Sequence, residues 1–173
     1  MPGFVIGGSG ANGAAEVPPE VRRRHRWIFR SFGSGGPSDE VLLLLHSATR
    51  PTFELAEAVL HHDQEEVYFA GKQTWNEIEM SFYDAEQSPD SSAELWRWVN
   101  IVSNINDGVT VDQAGNYKKL GNLEMIDGQG ETTETWKLYN CWPRVTNWGE
   151  LNYDSSDLAE ISVTMRYDRA VRE

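Results

Sequence analysis

From His25 to Phe32 the chain alternates, with Trp27 and Phe29 on one side and Arg26 and Arg30 on the other, the period of a half-buried strand. Gly33 to Ser38, with Pro37, predicts the turn that follows. Val41 to Leu45 is apolar throughout, which predicts a strand covered on both faces. Residues 47–64 break this pattern. Pro51 and the His61-His62-Asp63 cluster flank Phe53 to Leu60, a short stretch of helix-forming composition, so the expectation is a long excursion with one helical turn. Strands are predicted again at Glu66–Phe69 and at Thr74–Tyr83, where Ile78, Met80 and Phe82 alternate with Glu77, Glu79 and Ser81.

A single helix is predicted from Ser91 to about Asn104. Ser91 and Glu94 fit a capping box, Leu95, Trp98, Val99 and Val102 fall on one stripe, and Asp107-Gly108 reads as the stop. A hairpin follows, with strands at Lys119–Ile126 and Thr132–Asn140 around Asp127-Gly128-Gln129-Gly130; Leu123, Met125, Trp136 and Leu138 share one face. The last strand sets Ile161, Val163, Met165 and Tyr167 inward against Glu160, Ser162, Thr164 and Arg166 outward. Seven strands and one helix without βαβ alternation predict a mainly β fold, two packed antiparallel sheets in a sandwich or rolled barrel with one flanking α-helix. Residues 1–22, rich in Gly and Pro, are expected to be an arm, and residues 23–173 the β domain, with the excursion at 47–64 and the helix at 91–104 inside it.

Composition narrows the function. The 173 residues include seven Trp, six Tyr and six Phe, enough for a sizeable core. Cys141 is the single cysteine, which excludes an internal disulfide framework and any multi-thiolate metal site. The longest apolar run, Val41–Leu45, is far short of the roughly 20 residues that cross a bilayer, and Phe4-Val5-Ile6 is too short for a secretory signal, so a soluble protein made in the cytoplasm is expected. Net charge is −12, unevenly spread: residues 31–165 hold 7 basic and 23 acidic residues, while Arg22, Arg23, Arg24, Arg26 and Arg30 cluster near the start. An acidic body repels a phosphate backbone, so tight DNA binding is not expected.

Several motifs carry no chemistry on inspection. Gly8-Ser9-Gly10-Ala11-Asn12-Gly13 has the G-x-G-x-x-G spacing, but Pro18-Pro19 stands where the phosphate-binding helix would continue. His61, His62 and Asp63 are adjacent and cannot readily aim at one ion. Cys141 has no sequence-local histidine to make it a nucleophile, and chance pairs among 27 acids do not make a glycosidase site. No catalytic constellation, cofactor or metal site is therefore expected. Trp75, Trp96, Trp142 and Trp148 fall off the apolar faces and leave aromatic surface for a partner, so a carbohydrate-binding sandwich module is an alternative to consider.

The run Tyr139-Asn140-Cys141-Trp142-Pro143-Arg144-Val145-Thr146-Asn147-Trp148-Gly149-Glu150-Leu151-Asn152-Tyr153-Asp154-Ser155-Ser156, followed by the alternating strand Glu160–Tyr167, resembles the C-terminal signature of the major tail tube proteins of myovirus-type bacteriophages, relatives of the inner-tube proteins of contractile injection systems and type VI secretion. Ala48-Thr49-Arg50-Pro51 after an early strand, the Trp-bearing strand Thr74–Tyr83 before a single helix, and Tyr117-Lys118-Lys119 opening the hairpin agree with it. The likeness covers about residues 23–168.

That resemblance implies a structural virion protein: subunits form six-fold rings, four strands from each close an intersubunit β-barrel, and rings stack into a tube within a contractile sheath, the conduit for genome ejection. It implies as partners other copies of the chain, the sheath, baseplate and terminator proteins and passing DNA, with no membrane anchor, in a tail assembled in the host cytoplasm. An inner-tube or baseplate tube-initiator protein of an injection system is the variant of the same reading. On it, Glu77, Glu79, Glu124 and Glu134 are candidates for acids facing the lumen, with Glu134 set apart by sharing a face with Trp136. Arg22, Arg23, Arg24, Pro51, Phe53, Leu55, Leu60, Trp142 and Trp148 are candidates for contacts between subunits or rings.

Overall fold

The computed structural model describes residues 21–173 except 31, 34, 63–64, 87–89 and 105–112. The Gly-rich arm, its G-x-G-x-x-G motif and the expected stop at Asp107-Gly108 lie outside the described residues. In chain order the elements are β1 (Trp27–Arg30), α1 (Asp39–Leu42), β2 (Leu45–Ala48), β3 (Phe53–His62), β4 (Glu65–Trp75), β5 (Ile78–Tyr83), α2 (Ser91–Val102), α3 (Ala114–Tyr117), β6 (Lys119–Ile126), β7 (Thr132–Asn147), β8 (Glu160–Arg166) and β9 (Arg169–Arg172).

All pairing is antiparallel, and β7 joins two layers. Its first half lies between β6 and β9, with Leu123 opposite Trp136 and Leu138 opposite Ala170, and β1 pairs with β6 at the edge. Its second half pairs with β8, which pairs with β5, which pairs with β2. The turn between halves falls at Asn140, whose φ of 61° is a left-handed conformation that Asn tolerates better than most residues. Asp168 holds this corner: its carboxylate takes hydrogen bonds from Asn140 at 2.8 Å and Lys118 at 3.0 Å, and its N–H donates to the Tyr139 carbonyl.

Alternation then buries one face of each layer. Phe29, Leu123 and Leu138 from one side meet Ile78, Met80, Phe82, Ile161, Val163 and Met165 from the other in a single core. Helix α2 closes it with Leu95 and Trp98, the latter tilted against Phe32 at 4.8 Å, and Phe32 stacks on Phe29 at 4.8 Å. Burial pushes the Cys141 thiol up to about 12, so it is a packed small side chain and not a nucleophile.

Four expectations are corrected. Val41–Leu45 is not a strand: Ser38 caps α1 by accepting from the Val41 N–H, Asp39 and Glu40 occupy its first turn, and Glu94 accepts from the Ser38 N–H, so Val41 and Leu42 bury while Leu43 faces out. The excursion at 47–64 carries no helical turn and is mostly strand, β3. The segment Thr74–Tyr83 is broken at Asn76-Glu77 into the end of β4 and β5, although Ile78, Met80 and Phe82 are buried as expected. The cap of α2 is Asp90, which accepts from the Ala93 N–H; Ser91 is buried and donates to the Tyr83 carbonyl. In addition β7 runs on to Asn147, and α3 and β9 were not foreseen.

Candidate assembly interface

Strands β3 and β4 continue the β2–β5 ladder beyond the body. Thr49 donates its N–H to the Glu79 carbonyl and accepts from the Glu79 N–H with its hydroxyl, and Asn76 donates to the Thr52 carbonyl at 2.9 Å. At this root Phe53 meets Trp75 edge-on at 5.3 Å, and Trp75 lies 5.9 Å from the buried Tyr167. From there, among the described residues, β3 and β4 pair only with each other, over ten and eleven residues or roughly 30 Å. A register shift between Leu55 and Glu57 faces Gly71, where a Cβ would stand 2.9 Å from the Ala56 carbonyl oxygen.

Consecutive apolar residues at Val59-Leu60 and Val67-Tyr68-Phe69 put apolar side chains on both faces. Val59 pairs with Tyr68 on one face; Leu60 with Val67 and Ala58 with Phe69 lie on the other. Phe53, Leu55, Val59, Leu60, Val67, Tyr68 and Phe69 are all between 44% and 59% exposed. A two-stranded ribbon with grease on both sides and two open edges is not stable alone in water and marks a surface for association.

The expected site residues divide among separate places. Phe53, Leu55 and Leu60 come together on this ribbon, and Pro51 is buried at its root. Arg22, Arg23 and Arg24 are exposed beside the start of β1. Trp142 is half-buried against Tyr117, while the exposed Trp148 lies 5.8 Å from Trp96 on α2. Among the acids, Glu79 is exposed on the outer face of β5. Glu77 is held by Arg144 at 2.6 Å and Arg166 at 3.5 Å. Glu124 binds Arg30 at 3.0 Å and accepts from Thr132. Glu134 departs from the expectation of an open acid: at 4% exposure it accepts from Trp136 and pairs with Arg22 and Arg172, tying the two ends of the described chain together.

Sequence reasoning missed Val59, Val67, Tyr68 and Phe69. Their signal was a period of two, Phe53 and Leu55 alternating with Glu54, followed by the β-branched and aromatic run Val67-Tyr68-Phe69.

The fold recurs in solved structures. A chain of the sheath/tube terminator of an extracellular contractile injection system (PVC) superposes with a TM-score of 0.70 at 15% identity, covering 91% of this chain and 99% of that one. A chain of the sheath–tube complex of that system gives 0.63 at 16% identity, covering 88% and 91%. At such identities the likeness is one of fold. In sequence, the tail tube protein of Serratia phage KSP90 is 28% identical over 163 residues, 88% of this chain and 89% of that protein. The family described as "T4-like virus tail tube protein gp19" matches residues 63–171, which take in β4 to β8 and most of β9, and the chain belongs to that family of structural tail tube proteins.

Proposed function

We propose that copies of this tail tube protein close into six-fold rings, that the β3–β4 ribbon of each is covered by its neighbours, and that stacked rings form the conduit through which DNA leaves a contractile tail. The observation that carries this reading is the ribbon itself, apolar on both faces and, among the described residues, with its strands paired only to each other. Covering it on both sides removes apolar area from water and gives its edges partners, which explains why a stable body would carry so costly an appendage. Residues 1–22 serve as an arm and 23–173 as the tube domain. Sheath, baseplate and terminator proteins are its other partners, assembly takes place in the host cytoplasm, and no catalytic step is involved. Among the described residues no helix is long and apolar enough to cross a membrane.

Because the ribbon extends the β2–β5 ladder, the layer that continues into the shared wall is β2–β5–β8, and its outer face is the one proposed to line the lumen. That face carries Glu79, the Glu77–Arg144–Arg166 cluster, Ser81, Ser162 and Thr164. Glu124 lies on the opposite layer, and Glu134 is spent inside the fold, so of the four expected acids the luminal set reduces to Glu77 and Glu79. A wall whose cations are matched by carboxylates offers DNA little to exchange for its counterions. Negative-stain microscopy of purified protein tests the reading: hollow rods or six-fold rings are expected, and a monomer at every concentration overturns it. Glu79→Lys should leave assembly intact and slow DNA release; unchanged release removes Glu79 from the lumen.

A further inference from the structure

The loop between β7 and β8, residues 148–159, displays apolar side chains instead of hiding them. Leu151, Tyr153 and Leu158 are each at least 72% exposed, and Glu150, Asp154 and Asp157 stand among them with no basic residue in the loop. Its backbone is nonetheless organised. Asn147, Asn152 and Ser155 accept from the N–H groups of Gly149, Asp154 and Asp157 through their own side chains, and Gly149, at φ 80°, packs where any Cβ would strike the Glu160 carbonyl. A loop preformed with its apolar side chains outward is organised to be received by something.

Beside the β6–β7 turn lies a cleft of about 200 Å³ with the opposite character. Val21 and Ile126 give it apolar walls, and Arg22, Arg23 and Arg26 give it cations. Its one carboxylate, Asp127, is occupied by the turn, accepting from the Gln129 and Glu131 N–H groups at 2.7 and 2.9 Å. Arg22 reaches inward to Glu134, whereas Arg23 has no carboxylate partner among the described residues. Cleft and loop are separated by the whole of β7, 16 residues long: Thr132 leaves the cleft's turn and Asn147 enters the loop. At roughly 3.3 Å per residue that contour approaches 50 Å, bent at Asn140, which argues against a loop seated in its own cleft.

We infer that the 148–159 loop of one copy docks into the Arg23 cleft of the next, its acids against the arginines and Tyr153 or Leu151 between Val21 and Ile126. Two unlike patches at opposite ends of a strand make a heterologous contact, the kind that propagates when it does not close on itself. The inference rests on the proposed self-assembly and adds to the ribbon a second, electrostatic contact, which sets register and orientation more than it adds affinity.

Charge exchange tests it. Arg23→Glu and Asp154→Arg each place like charges at the contact and should raise the concentration needed for pelletable assembly by about tenfold, with unchanged circular dichroism. Mixed one to one, the two variants regain complementary neighbours and should assemble like the wild type; so should the single chain carrying both changes. Variants that assemble normally, or a mixture no better than its components, overturn the contact. A defect in Arg23→Glu alone would assign the cleft to another acidic ligand, and duplex DNA retained by the wild type but not by that variant would name it. Wild-type protein that never assembles removes the tube reading itself, whereas normal wild-type tubes with indifferent variants remove only this contact.

Discussion

The β-sandwich body and the β3–β4 ribbon are built from the same kinds of residue in the same alternating strands, yet they solve opposite problems. In the body each strand from β5 to β8 finds partners within the chain, and its apolar side chains, Ile78, Met80, Phe82, Ile161 and Val163, are almost fully enclosed. In the ribbon Val59, Leu60, Val67, Tyr68 and Phe69 are left half in water on two faces, and each strand has one partner. The body is sufficient to itself; on the proposed assembly, the ribbon is finished by other copies. Stability and assembly should therefore separate cleanly by region.

The largest effect is expected from replacing residues 53–75 with a two-residue Asn-Gly turn joining Thr52 to Asn76, which are already hydrogen-bonded. Assembly should be lost completely while the melting temperature of the free subunit moves by no more than a few degrees; tubes of normal length from this variant break the division. Next, Trp98→Ala opens the core beneath α2 and should cost about 3–5 kcal/mol, roughly 10 °C in a domain of this size, measured by calorimetry on the free subunit. Glu134→Ala leaves the Trp136 indole N–H without its acceptor and frees Arg22 and Arg172. Since both arginines are half-exposed and stay solvated, about 1–2 kcal/mol is expected from denaturant titration, well below the cost at Trp98.

The smallest effect concerns the corner at Asp168. Partial burial tends to raise its pKa, but hydrogen bonds from Lys118 and Asn140 outweigh this and hold it below the ordinary 3.8. A carboxylate depressed in the folded state stabilises fully above its unfolded value and loses that contribution as pH falls below about 4. Asp168→Asn should therefore be slightly less stable at neutral pH, by less than about 1 kcal/mol, and the gap to the wild type should close in acid melts. A gap that widens in acid contradicts the assignment.

Where packing repeats a simple period, the fold was legible. Ile78, Met80 and Phe82 in β5, Ile161 to Tyr167, and the Leu95–Trp98–Val102 stripe of α2 all lie where alternation or helical spacing puts them, because burial within one chain imposes those periods. Val41–Leu45 misled because five consecutive apolar residues look alike in a covered strand and a buried helical turn; Ser38-Asp39-Glu40, a capping signature, was the arbiter. The ribbon misled for the opposite reason. Glu57 and the pair Ala56 and Ala58 suit a helix, and the consecutive apolar residues Val59-Leu60 break the polar-apolar alternation that marks a strand. Its apolar side chains are not enclosed by the body, and a rule about one chain's inside and outside does not describe such an element. The segment that is apolar on both faces is the ribbon and not Val41–Leu45. Glu134 was half legible: its place beside Trp136 hinted at burial, but Arg22 and Arg172 lie 112 and 38 residues away in sequence.

Hydrogen exchange on β3 and β4 in the free subunit and in the assembled form addresses the central claim most directly. The ribbon amides should exchange near the rate of open structure in the free subunit and slow by at least about 100-fold on assembly, while β5 and β8 stay protected in both states. Equal ribbon exchange in the two states, or full protection in the isolated chain, would contradict the claim that other copies complete this part of the molecule.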